Sequence, residues 1–133
     1  MEEIKKFFTA HDHFAQHTGI ELLRVEKGKA WAKMEIQALH LNGAKTVHGG
    51  AIFTLADFAF AVASNSHGKL AMGINTSTSF INPATEGTLF AEATEIAQNS
   101  KLGLYQVRIT DQDARLIAQF QGTAYRKKES LTD

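Results

Sequence analysis

The chain has no cysteine and one proline, Pro83, among its 133 residues, and its fourteen basic and fourteen acidic side chains cancel. Without cysteine there is no disulfide, no thiolate nucleophile and no sulfur-ligated metal, which fits a reducing compartment. Without net charge there is no broad electrostatic footprint for nucleic acid or an anionic membrane. No uncharged apolar run reaches the roughly 20 residues that a membrane span needs. The opening segment MEEIKKFF lacks the apolar centre of a signal peptide, so a cytoplasmic protein is expected. Internal repeats, low-complexity tracts and linkers are also missing. What remains is an ordinary globular composition, 44% hydrophobic and 21% charged, and a single domain over 1–133 is expected.

The most informative stretch is HGGAIFTLADFAFAVASNS, from His48 to Ser66. Ala51, Leu55, Ala56, Ala59, Ala61 and Ala63 are good helix formers and no proline interrupts them. Gly49 and Gly50 open the helix, and Asn65, Ser66 and Gly68 close it. At about 100° per residue, Gly50, Thr54, Asp57, Ala61 and Ser64 fall along one line. Ile52, Phe53, Leu55, Phe58, Phe60 and Val62 cover the rest of the circumference. A helix this apolar has to be wrapped by other structure on nearly every side.

The flanking sequence supplies the wrapping. Ile4, Phe7, Phe8, His11, Phe14 and Ala15 recur at helical spacing over residues 3–17, ahead of Gly19 as a cap, which predicts one docking helix within 1–18. Residues 20–26 and 29–36 read as a hairpin turning at Glu26, Lys27 and Gly28, with Ala30, Ala32, Met34 and Ile36 alternating against Trp31, Lys33 and Glu35. Residues 37–47 form an irregular loop that holds His40, Asn42 and Gly43. Strands are expected over 72–80, 89–96, 104–110 and 116–125, with a frayed tail over 129–133. Two strands, a long helix and four strands make an α+β domain, one curved antiparallel sheet wrapped around a central helix.

Asp57 is a lone carboxylate on that helix, with no lysine or arginine within a helical turn. A buried unpaired charge costs several kcal/mol or takes up a proton, so it is either satisfied by Thr54 and Ser64 or functional. The small residues Gly50, Thr54 and Ala61 beside it leave room for a substrate tail, which favours function. The Gly49 and Gly50 amides at the helix start are expected to be unpaired, pointing outward as an oxyanion hole, although glycine there also suits a tight turn. Gly49 and Asp57 are eight residues apart, roughly 12 Å along a helix, whereas one reacting carbonyl must lie about 3 Å from both groups. Two chains with antiparallel helices satisfy this, which predicts an isologous homodimer with two shared sites.

HGG, then Leu55-Ala56-Asp57 with Phe60-Ala61, then Asn65-Ser66-His67-Gly68 and Asn82-Pro83, resembles the hotdog-fold thioesterases of the phenylacetate-degradation (PaaI) type over residues 15–127. The resemblance implies hydrolysis of an acyl-coenzyme A thioester, of aryl or hydroxyaryl type, between two subunits that pair further as a dimer of dimers. It implies that Asp57 is general base or nucleophile and that the Gly49 amide polarises the thioester carbonyl. Asn42 and His48 match a polar pair that orients thioester or water. No metal and no cofactor are expected, coenzyme A being part of the substrate. Gly50, Thr54, Asn75 and Ser77 are the expected substrate-binding positions, the last two facing one side of their strand. Phe53, Phe58, Phe60 and Phe80 could wall an aryl pocket or belong to the core.

Other features carry less. His13 and His17 stand one turn apart as a metal pair would, but they flank a stripe to which His11 belongs. Ser64, Ser66, Ser77 and Ser79 lack a nucleophile elbow. Lys101, Arg126, Lys127 and Lys128 are candidates for coenzyme A phosphates or a solvated surface. The competing functions are a non-catalytic acyl-CoA binding module and a hotdog enoyl-CoA hydratase.

Overall fold

The computed structural model describes residues 1–132. Its elements are α1 (Glu2–His11), α2 (His13–Thr18), β1 (Ile20–Glu26), β2 (Lys29–Glu35), a 3₁₀ turn (Ala38–His40), α3 (Gly49–Asn65), β3 (Lys69–Phe80), β4 (Thr88–Gln98), β5 (Leu102–Thr110) and β6 (Leu116–Ser130). The six strands form one sheet in the order β1-β2-β4-β5-β6-β3, with every neighbouring pair antiparallel. The sheet curves around α3, the expected arrangement. Among the described residues, no helix is long and apolar enough to cross a membrane.

The alternation in the sequence sets the packing. Ala30, Ala32 and Met34 on β2, Leu89, Ala91 and Ala93 on β4, and Tyr105, Val107 and Ile109 on β5 all face inward and are buried. Alanines at the sheet centre let α3 approach closely, so Leu55, Ala56, Ala59, Val62 and Ala63 are fully enclosed. Phe60 fits because Gly73 and Gly122 leave space for its ring: a Cβ at either would lie 2.8–2.9 Å from a ring carbon. Burial of that side chain contributes about 1.5–3 kcal/mol.

The N-terminal segment differs from the single helix expected. It breaks at Asp12 (φ −85°, ψ 85°), whose carboxylate accepts the Ala15 N–H at 3.0 Å and caps the start of α2. An aspartate three residues before a free amide competes with helix continuation. The break turns the two halves apart. Ile4 and Phe8 on α1 are buried, with Phe8 edge-to-face against Phe58 at 6.2 Å, and Ala15 is buried on α2. Phe14 is instead 66% exposed, and His11, expected on the apolar stripe, is exposed too, donating from Nδ1 to the Phe7 carbonyl.

Two further differences concern the strands. The tail expected to fray at residue 129 stays in β6 to Ser130, paired with Lys69, and the buried Leu131 donates its N–H to the Gly68 carbonyl. Asp133 lies outside the described residues. On β3, the register against β6 shifts between Gly73 and Asn75, leaving Ile74 without a partner. Before this bulge Gly73 lies opposite the inward Ala124, and after it Thr76 and Thr78 lie opposite the inward Gly122 and Phe120. Residues opposite each other in an antiparallel ladder share a face, so the bulge inverts the alternation.

Candidate active site

α3 shows solvent only along a narrow band. Gly50 and Phe53 are exposed, Thr54, Asp57 and Ala61 are half-buried, and nearly everything else on the helix is enclosed. The band is the line expected from the helical angle, with two changes. Phe53 joins its edge, and Ser64 leaves it, buried with its hydroxyl donating to the Ala61 carbonyl at 3.1 Å.

Asp57 sits at the middle of the band and forms no hydrogen bond or ion pair with any described residue. Thr54 does not satisfy it, since its hydroxyl turns back to the Gly50 carbonyl at 2.7 Å. Burial, and secondarily the negative charge of Asp12, push the Asp57 carboxyl above the usual aspartate range. The carboxylate opens into a groove between α1 and β3, bordered by Phe7, Phe8, Ala61, Met72 and Gly73. A half-buried carboxylate with a raised affinity for protons and no structural partner is suited to accepting a proton or attacking an electrophile.

The other half of the expected site lies at the helix start. His48 is the N-cap, and its Nδ1 accepts the Gly50 N–H at 2.8 Å. The expectation of two free amides is therefore wrong by one: Gly50 is capped, and only the Gly49 N–H lacks an acceptor among the described residues. Because Nδ1 accepts, the neutral ring carries its proton on Nε2, which faces outward on an exposed side chain. The Phe80 ring lies against Gly49, where an added Cβ would meet it at 3.3 Å. Phe80, expected at a pocket wall or in the core, packs its ring on the helix start and stays 55% exposed.

His48, Gly50 and Thr54 border a second groove, distinct from that of Asp57. Asn42 borders neither. Its Oδ1 accepts the Ala44 and Thr46 N–H groups at 2.9 and 3.2 Å and its Nδ2 donates to the Thr46 hydroxyl at 2.9 Å, so it holds its own loop together, with one N–H free among the described residues. Asn75 and Ser77 share a face, as expected, but the bulge turns that face away from α3, opposite Thr123 and Gln121. Inward of them Thr78 has a buried hydroxyl with no partner among the described residues.

The histidines set aside earlier acquire places. His40 is buried, with Nδ1 accepting the Gln37 N–H and Nε2 donating to the Thr18 carbonyl. His67 bonds Glu95 at 2.8 Å, and the Tyr105 hydroxyl donates to the same Glu95 oxygen at 2.6 Å. No three His, Asp or Glu side chains converge as a metal site among the described residues. Arg126 is engaged by the Asn99 carbonyl and the Gln98 side chain, bracing the β4–β5 hairpin.

Comparison with known proteins adds to this geometry. Residues 44–118 match the family described as the thioesterase superfamily. A protein of Archaeoglobus fulgidus is 39% identical over 132 residues, which is 98% of this chain and 86% of that one. Acyl-coenzyme A thioesterase PaaI of Escherichia coli is 35% identical, covering 92% of this chain and 88% of the relative. The solved structure of the E. coli PaaI protein from the phenylacetic acid degradation operon superposes with a TM-score of 0.93 at 32% identity, over 96% of this chain and 94% of that one. The chain belongs to the thioesterase superfamily, in its hotdog-fold, PaaI-like branch of thioester hydrolases.

Proposed function

We propose that the chain is an acyl-CoA thioesterase acting on arylacyl groups such as phenylacetyl, at sites shared between two subunits. The observation that carries this reading is the half-buried, partnerless carboxylate of Asp57 on the open band of α3. The relatives named for acyl-CoA hydrolysis and the phenylacetic acid operon support the substrate class.

In the reaction, the thioester carbonyl oxygen accepts the Gly49 N–H of one subunit, which stabilises the charge that develops there. Asp57 of the other subunit takes a proton from water as its oxygen adds to the carbonyl carbon. The tetrahedral intermediate collapses, the C–S bond breaks, and the proton on Asp57 returns to the coenzyme A thiolate. If Asp57 instead attacks the carbonyl carbon directly, the C–S bond breaks and coenzyme A leaves as the thiolate while a mixed anhydride forms; water then cleaves the anhydride to the acid and the free Asp57, and its released proton goes to the thiolate. His48 orients the thioester through its outward Nε2–H, and the free Asn42 N–H is the second candidate donor. Neither step draws on a metal or a cofactor. The exposed Lys101, Lys127 and Lys128 suit the nucleotide phosphates of coenzyme A.

The dimer is supported by β3. It is an edge strand of twelve residues with one side unpaired, and it carries Met72, Ile74 and Phe80, each more than half exposed. A long apolar edge is a template for pairing with a second copy. A dimer of dimers is assigned to the convex face, where Leu23 and Phe90 are exposed beside Trp31.

A thiol-release screen across arylacyl, fatty acyl and acetyl-CoA esters, run beside Asp57→Ala, tests the reading. Release from arylacyl esters that is lost in Asp57→Ala supports it. Binding without release, or wild-type turnover in the variant, overturns it, and hydration of an enoyl-CoA would point to the hydratase.

A further inference from the structure

We propose that the groove between α2 and the 3₁₀ turn seats the acyl group of the substrate, and that Phe14 and Leu39 set which acyl groups fit. The proposal rests on the thioesterase reading and names the specificity-determining residues within it. Among the described residues, Leu39 and Phe14 are the two most exposed large apolar side chains, at 67% and 66%. They line the same groove, one from the 3₁₀ turn and one from α2. Two isolated surface hydrophobics would need no account; two that border one concavity of about 590 Å³ do.

The groove is built rather than incidental. Its two walls are clamped together by His40, which is only 2% exposed. The ring accepts the Gln37 N–H at the head of the 3₁₀ turn, 3.0 Å away, and donates to the Thr18 carbonyl at the end of α2, 2.7 Å away. The His40 carbonyl accepts the His48 N–H at 2.7 Å, which fixes the approach to the Gly49 amide from the same residue. One buried residue therefore holds both, the spacing between Phe14 and Leu39 through its ring and the position of the helix start through its carbonyl.

Continuity with the reaction site identifies the occupant. The groove runs onto the cap residue His48 and onto Gly50 and Thr54 of α3, the first two being the chain neighbours of Gly49 on either side. An acyl group whose carbonyl is held at the Gly49 amide leaves the carbonyl carbon next to apolar walls on this side. An aryl or other compact apolar acyl group is the matching chemistry.

The test measures both binding and turnover in the full-length protein and in Phe14→Ala, Leu39→Ala and Leu39→Trp. Binding uses a non-hydrolysable ketone analogue of phenylacetyl-CoA against coenzyme A alone. The analogue is expected to lose about tenfold or more in affinity in each variant relative to coenzyme A. The ratio of kcat/KM for phenylacetyl-CoA to that for acetyl-CoA should fall similarly, with Leu39→Trp giving the steepest loss for the larger group. Equal effects on both ligands, no effect, or a changed oligomer mass in the alanine variants would overturn the assignment, the last showing that these side chains cover a second copy. If the wild type releases no thiol, the catalytic reading fails while the binding ratio still decides the groove.

Discussion

His48 caps Gly50 through a 2.8 Å bond from the Gly50 N–H to its own ring Nδ1, and among the described residues this leaves the preceding amide, Gly49, as the one open donor at the start of α3. An ordinary helix start leaves several amides open. Here Ala51 and Ile52 donate to the His48 carbonyl and Gly50 to its ring, so the helix end presents a single aimed group.

Gly49→Pro isolates that group. Proline is favoured at a first helical position, and the φ −58° and ψ 135° of His48 suit a residue that precedes proline. The substitution removes the N–H and keeps the helix, and turnover should fall by about 10²–10³. Gly49→Ala, which adds the same crowding against Phe80 but retains the N–H, should lose far less. Matched kcat measurements on the two variants, with circular dichroism to establish the fold, check this.

His48 combines a cap with an outward donor, and the two can be separated. His48→Ala should cost about 1 kcal/mol of stability through loss of the cap. His48→Asn should restore most of that, because its side-chain oxygen can accept the Gly50 N–H. It should not restore turnover, since the outward Nε2–H is gone. Denaturant midpoints set against kcat distinguish the two roles.

Asp57 makes an opposite pair of demands. Its folded-state carboxyl binds the proton more tightly than in the unfolded chain, chiefly because of burial. Any stability it contributes is present while it is protonated and is lost as pH rises through the raised folded value. At neutral pH the ionised group therefore destabilises the fold, and Asp57→Asn should be more stable than wild type at pH 7, with the difference shrinking in acid. The same shift places the acidic limb of the kcat/KM profile above the usual aspartate range. Urea titrations at two pH values and a pH–rate profile test both statements.

Glu95 behaves in the other sense. Burial pushes its carboxyl up, but the bonds from Tyr105 and His67, with the charges of His67 and Arg126, together outweigh it and hold the group below the usual glutamate range. Its contribution is present above the unfolded value and is lost as pH falls through the depressed folded value. Glu95→Gln should cost about 1 kcal/mol at pH 7 and nothing once both forms are protonated. Denaturant midpoints at pH 7 and in acid give the comparison.

Much of this was legible in the residues. The apolar circumference of α3 required a sheet wrapped around it, and Gly50, Thr54, Asp57 and Ala61 lie on the one band that stays open. What could not be read were events set by a single backbone position. The Asp12 cap splits the first helix and exposes Phe14, a signal present in the sequence as an aspartate three residues before Ala15. The bulge at Ile74 turns Asn75 and Ser77 outward and Thr78 and Phe80 inward, and strict alternation carries no trace of it. Histidine's capping of Gly50 was missed because that role more often falls to serine, threonine, aspartate or asparagine.

The central claim is that Gly49 and Asp57 act across two subunits, and mixing two inactive chains tests it most directly. Asp57→Ala retains the amide and Gly49→Pro retains the carboxylate, so a mixed dimer holds one intact shared site and one doubly defective site. Equal co-expression should give about a quarter of wild-type thiol release, since half the dimers are mixed and each has one working site. Activity no higher than that of either parent, in a preparation shown by native mass spectrometry to contain mixed dimers, would contradict the account.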